Sequence, residues 1–258
     1  SGDRFVVADL LDAGEVFAVL ADADPDGVVH LGTVPHPDAH PAAPVFRSNV
    51  LTSYVVLAAA ETVGVGRVCI ASSVNAVGRD FQDVPMAVEY LPIDESHPAT
   101  PRDPYGLAKH VVEHVADGFG RRPGPPHTVS TVRLPAVHDE AEIQGYRERS
   151  WTIEDLRADA DGTAVPRFEY VHVADATRAF ECALTADFDG HETFWIAAPD
   201  VVFDAPTPAY VAAFYPDVER RRSFEGHETL LDLSKARELL DWRPEHAVHP
   251  RERPSSSR

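Results

Sequence analysis

Four runs of almost unbroken apolar residues recur along the chain, and a helical period follows each of the first three. Arg4–Leu10 reads as a buried strand ending in an acid, Asp9, and Leu11–Ala23 then takes up a 3.6-residue repeat with Asp12 placed to cap it. Gly27–Thr33 is a second apolar run that ends in small residues. A loop rich in Pro and His leads to a long helix from about Val45 to Val63, and a third strand spans Arg67–Ser73. The helix that contains Tyr105 follows, and Thr128–Leu134 reads as the fourth strand. Continuously apolar strands that alternate with helices predict an α/β fold, a doubly wound parallel sheet covered on both faces. Such sheets bind ligands beyond the carboxyl ends of their strands. Asp9, Gly32, Thr33, Ser72 and Ser73 all fall at those ends.

The chemistry-bearing pattern lies in the segment from Pro104 to Lys109. Tyr105 and Lys109 stand four apart, so on a helix they share a face. The lysine ammonium beside the phenol is expected to favour its ionised form, since a phenol near pKa 10 is otherwise a poor base at neutral pH. A serine from the preceding strand end would hold a substrate hydroxyl, which completes a proton-transfer site for oxidising an alcohol or reducing a carbonyl. Val74 and Asn75 follow that serine, and Asn75, two residues after Ser73, faces the same side of an extended chain and is read as a substrate contact. His30, His36 and His40 cluster near one strand end. The prolines between them describe an irregular loop and no Cys joins them, so no metal is expected there. The loop from His36 to Pro44 is read as a lip of the substrate cleft.

Composition narrows the setting. At 258 residues and 44% hydrophobic, the chain is long enough for one substantial core. Its 42 acidic against 23 basic side chains give a formal charge of -19, which argues against nucleic acid and anionic membranes as partners. Lys109 and Lys235 are the only lysines. Excess carboxylate with so little lysine fits a halophilic protein kept soluble in high salt; a GC-rich genome favouring Arg, Ala and Asp is the alternative. Cys69 and Cys182 are read as buried free thiols of a reducing compartment. With no stretch of membrane-span length and no signal-like N-terminus, a cytoplasmic location is expected.

Several segments together resemble the extended short-chain dehydrogenases/reductases of the NAD-dependent epimerase/dehydratase family. Val7–Leu10 resembles the family strand end that meets the adenine, and Val29–Gly32 the strand beside the nicotinamide ribose. Asn49 matches a family Asn. Ala71–Gly78 resembles the serine strand, in which the residue five before the Gly is catalytic, so Ser73 is chosen over Ser72. Tyr105 and Lys109 match the family's Tyr-x-x-x-Lys, and Tyr170–Ala179 and Asp232–Pro244 resemble two C-terminal signatures that report fold. The segment Pro92–Pro98 is similar to one that flanks the family's active site.

The resemblance implies a Rossmann-like fold with residues 1–135 as an NAD(P)-binding core. Residues 136–258 would be a small substrate-binding part interleaved with the last core strands. It implies Ser73, Tyr105 and Lys109 as catalytic residues, and NAD or NADP held by Asp9, Leu10, Leu31, Gly32, Thr33, Asn49, Ala71 and Pro135. A carbohydrate substrate would lie beside Val74 and Asn75, and a homodimer would form through the helices holding Asn49 and Tyr105. The family's opening strand, Gly-x-x-Gly-x-x-Gly turn and second strand are not in this sequence, about 50 to 60 residues by unit length. Omission of an N-terminal piece of a longer protein is favoured over a shortened member, because a sheet lacking its middle would expose apolar surface and unpaired backbone groups. The substrate readings are a nucleotide-sugar, or a simple sugar or uronate whose carboxylate meets Arg147, Arg149 or Arg167. A non-catalytic nucleotide-binding regulator is the reading from another class.

Overall fold

The computed structural model describes residues 4–36, 40–79, 81, 86–158 and 169–249. In chain order its elements are α1 (Ala13–Ala23), β1 (Gly27–His30), α2 (Ala42–Val63), β2 (Arg67–Ser73), a 3-10 turn (Val74–Val77), β3 (Tyr90–Leu91), α3 (Pro104–Gly120), β4 (Thr128–Leu134) and β5 (Ala136–His138). There follow α4 (Glu140–Arg147), α5 (Ile153–Ala158), β6 (Tyr170–His172), α6 (Val173–Thr185), β7 (Gly190–Trp195), α7 (Thr207–Phe214), β8 (Glu219–Arg220) and α8 (Ser234–Leu239).

The main sheet is all parallel, in the order β1-β2-β4-β7. Its register sets Ser73 opposite Leu134 and Arg133 opposite Trp195, so the carboxyl ends of three strands finish side by side. Alternation along β2 feeds two cores. Val68 and Ile70 pack with Leu57 and Ala60 of α2 and with Val112, Ala116 and Phe119 of α3. Cys69 points the other way, into a larger core with Ala176, Ala179 and Ala183 of α6, Phe194 of β7 and Trp242. The sheet is thus covered on both faces, as its apolar strands require. Two short parallel pairs, β3 with β8 and β5 with β6, sit beyond its carboxyl edge.

One expected strand is not formed. Residues 4–9 run as irregular chain, with Phe5 at 91% and Val7 at 84% exposure. An apolar run becomes a strand only when a neighbour supplies its backbone hydrogen bonds, and the main sheet's described partner for β1 lies on its other side, at β2. The neighbouring helix does form with the expected cap: Asp12 Oδ1 accepts from the backbone N–H groups of Gly14 and Glu15 at the start of α1. The second strand stops at His30, short of Thr33.

The two C-terminal signatures lock onto one another. Asp175, in the first turn of α6, is the buried anchor of the C-terminal segment, and His172 caps α6 by accepting from the Ala174 N–H. The Asp175 carboxylate accepts from the backbone N–H groups of Glu245 and His246 and pairs with Arg178, while Trp242 Nε1 donates to its carbonyl at 3.0 Å. Cys182 is half-buried, not buried as expected, and Cys69 is fully enclosed. Residues 250–258, expected to be a frayed tail, and Arg167 lie outside the described residues. Among the described residues no helix is long and apolar enough to cross a membrane.

Trp242 is fully buried and joins α6 to the C-terminal segment. Trp242→Ala is therefore expected to cost about 3 to 5 kcal/mol, read as a lowered urea midpoint with an unchanged denaturant slope.

Candidate active site

α3 is positioned by its first turn. Asp103 is the N-cap, its Oδ1 accepting from the Tyr105 and Gly106 N–H groups at 2.9 and 2.8 Å, and Pro104 supplies a preset first helical residue. Gly106 then lies so close to the 3-10 turn that a Cβ there would stand 2.6 Å from the Asn75 carbonyl oxygen. That approach brings Tyr105 over the end of β2.

A cavity of about 450 Å³ opens at this point. Ser73, Val74, Asn75, Tyr105 and Lys109 line it with Thr33, Ala71, Leu134 and Pro135, and its further walls include His36, Phe81 and Glu169. The side chains of the two serines go different ways. Ser72 Oγ donates to Glu113 Oε1 at 2.6 Å and is fully engaged in the wall, whereas Ser73 Oγ accepts from the Asn75 N–H and acts on the Tyr105 phenol. Asn75 reaches the cavity from a 3-10 turn and not from the extended chain expected.

Lys109 is only 4% exposed, and its Nζ donates to the Ala71 carbonyl at 2.6 Å. Burial lowers its pKa to about 8, against an opposing pull from the Glu113 carboxylate. Its ammonium stands 5.7 Å from the centre of the Tyr105 ring. Burial is the largest influence on that phenol and raises its pKa, while the Ser73 hydrogen bond acts in the opposite sense. The direct lowering by Lys109 expected from the spacing is therefore not what dominates here, because the lysine is held back on Ala71.

The remaining expected residues divide. Asn49 is buried and closes a two-way bond with Val34, accepting from its N–H at 2.7 Å and donating to its carbonyl at 3.1 Å. It shapes the loop after β1 without lining the cavity. Leu31 is 57% exposed, and Asp9 caps its own turn by accepting from the Leu11 N–H. Neither they nor Leu10 and Gly32 line the cavity. Arg147 does not line the cavity: its guanidinium pairs with Glu140 at 2.6 Å and donates to the Ala247 carbonyl at 2.7 Å, which ties α4 to the C-terminal segment. The segment Pro92–Pro98 is structural, with Ile93 buried and Glu95 accepting from the Trp195 N–H.

Sequence reasoning passed over Glu113, Glu169, Phe81 and the bond between Ser72 and Glu113. Glu113 had a signal, since it repeats the four-residue step that joins Tyr105 to Lys109. Glu169 had none, because it meets Arg79 only through the fold, at 3.0 Å.

A nicotinamide group fits part of this wall. The Thr33 hydroxyl is buried in it without a hydrogen-bond partner among the described residues, and Lys109 and Tyr105 present the donors that ribose hydroxyls and a reacting oxygen require. The fit is to the nicotinamide end, since the residues expected around the adenine lie outside the cavity lining.

Comparison with known proteins decides the family. The model of the NAD dependent epimerase/dehydratase family matches residues 1–197. The chain belongs to that family, and so is an enzyme of the NAD-dependent epimerase/dehydratase type. It is 25% identical to a UDP-glucose 4-epimerase of Corynebacterium glutamicum, over 94% of this chain and 78% of that protein. Its fold matches the UDP-glucose 4-epimerase of Thermotoga maritima solved with UDP-glucose, with a TM-score of 0.63 at 20% identity over 93% of this chain and 79% of that one. A short-chain dehydrogenase/reductase superfamily protein of Agrobacterium tumefaciens with bound NAD matches with a TM-score of 0.66, again at 20% identity, over 94% and 81%.

The buried histidine beside the site gives a pH signature. His30 is 6% exposed, and burial, aided by the Lys109 charge, lowers its pKa from 6.5 to about 4. Between those values the unfolded chain binds a proton that the folded one does not, so stability rises with pH across the window and is lost on acidification. His30→Asn should flatten the change in urea midpoint between pH 6.5 and 5; an unchanged slope would contradict this assignment.

Proposed function

We propose that the protein is an NAD(P)-dependent oxidoreductase or epimerase acting on a hydroxyl of a sugar or nucleotide-sugar through Ser73, Tyr105 and Lys109. The observation that carries the reading is the convergence of these three side chains on one cavity wall, while the hydroxyl of Ser72, which also lines the cavity, is engaged by Glu113. The relatives named UDP-glucose 4-epimerase support a nucleotide-sugar. A uronate is less well supported, because the Arg147 guanidinium is paired with Glu140 and the Ala247 carbonyl.

Bound nicotinamide supplies the hydride chemistry. Tyr105 moves the proton at the reacting oxygen: burial favours its phenol form, suited to donating to a carbonyl oxygen, while the Ser73 hydroxyl acts towards the phenolate needed in the oxidising direction. Ser73 Oγ holds the same oxygen. Thr33 and Lys109 are the groups assigned to the nicotinamide ribose. The reading includes a homodimer through α2 and α3, supported by exposed Phe46, Leu51, Tyr54 and Leu107 on those helices.

Turnover of sugars, uronates and nucleotide-sugars with NAD and NADP tests the reading. One of them should be converted, and Tyr105→Phe should lower the rate about 100-fold to 10,000-fold while leaving cofactor affinity near the wild-type value. Cofactor binding with no turnover of any substrate by the wild type would favour the regulator.

A further inference from the structure

Behind the three reacting side chains lies a carboxylate that touches none of them. Glu113 of α3 is 7% exposed and accepts three hydrogen bonds: from Ser72 Oγ at 2.6 Å, Arg133 Nε at 2.9 Å and Arg133 Nη2 at 2.8 Å. Ser72 precedes Ser73 on β2, and Arg133 of β4 precedes two residues of the cavity wall, Leu134 and Pro135. One side chain therefore ties the helix of Tyr105 and Lys109 to both strands that complete the site. Glu113 is also one helical turn beyond Lys109, on the same buried face.

We propose that Glu113 is the positioning residue of this site, a fixed counter-charge that keeps Lys109 an ammonium ion while it clamps α3 to the ends of β2 and β4. A buried lysine is otherwise driven towards its neutral amine, which can no longer stabilise a phenolate. Among the described residues, Glu113 is the charged group whose field opposes that drive at Lys109. His30 of β1 is held neutral by burial, Ser72 and Ser73 of β2 carry no charge, and Tyr105 and His110 share the helix. Arg133 of β4 is a cation whose charge offsets part of the Glu113 field. Glu169 faces the cavity from its far wall and is already paired with Arg79.

The inference takes its catalytic meaning from the Tyr105 and Lys109 reading, but its test needs neither substrate nor cofactor. Because the chain has only two lysines, Lys109 and Lys235, protein labelled with 13Cε-lysine gives two resonances, and Lys235→Arg leaves the one from Lys109. That resonance should titrate near pH 8 in the wild type. Glu113→Gln should lower the midpoint by about one unit, and Arg133→Met should raise it. The double variant Glu113→Gln with Arg133→Met removes the pair without stranding a buried charge, and should still titrate below the wild type. A purely structural clamp predicts no opposite shifts in the two single variants. An unchanged midpoint in Glu113→Gln and in the double variant would overturn the proposal. If both of those fail to fold, a midpoint in Arg133→Met that is unchanged or lowered would overturn it. Absence of turnover by the wild type with these shifts intact would count against the catalytic reading and not against the role of Glu113.

Discussion

The arrangement depends on keeping one ammonium ion inside the protein. Lys109 is almost fully enclosed, and a charge in such a place survives only if fixed dipoles and counter-charges replace water. The parallel sheet supplies the first of these. The β2 backbone carbonyl at Ala71 takes the Lys109 proton donor, and the same strand end presents Ser73 to the cavity. Much else in the fold serves to hold that strand end still: the parallel register between β2 and β4, the Asp103 cap, and the close approach at Gly106 that sets α3 against the 3-10 turn.

A second constraint acts at a distance from the site. The region after β4 has few long elements, and it is organised by buried polar anchors instead of extended sheet. Asp175 gathers the C-terminal segment through backbone N–H groups and Arg178. Asp200 does the same with the Tyr170 hydroxyl at 2.5 Å and the His249 N–H. Each leaves a buried carboxylate hydrogen-bonded, which is what makes its burial tolerable. These anchors stabilise the short β5 and β6 pair that flanks the cavity at Ala136 and Val137.

What the sequence revealed follows the range of each interaction. Local signals read well: the cap at Asp12, the four-residue step from Tyr105 to Lys109, and the apolar runs that became β2 and β4 are each written within a few residues. Interactions between distant segments were not legible. Arg147 had the right charge for a substrate carboxylate, yet Glu140 and the Ala247 carbonyl claimed it. Asp175 is fixed by partners some 70 residues later in the chain. Arg4–Leu10 has the composition of a strand, and composition does not supply the neighbour that a strand needs. Ser73 was chosen over Ser72 by resemblance alone, and the bond from Ser72 to Glu113 that sets the two hydroxyls apart emerged only in three dimensions.

The central claim is that this cavity holds the nicotinamide end of a dinucleotide against Lys109. Equilibrium binding of NADH and NADPH, followed by the fluorescence of the reduced nicotinamide in wild type and Lys109→Met, tests it most directly. The account predicts binding of at least one of the two to the wild type, weakened roughly tenfold or more by loss of the charged donor. No binding of either nucleotide, or equal binding by both proteins, would contradict it.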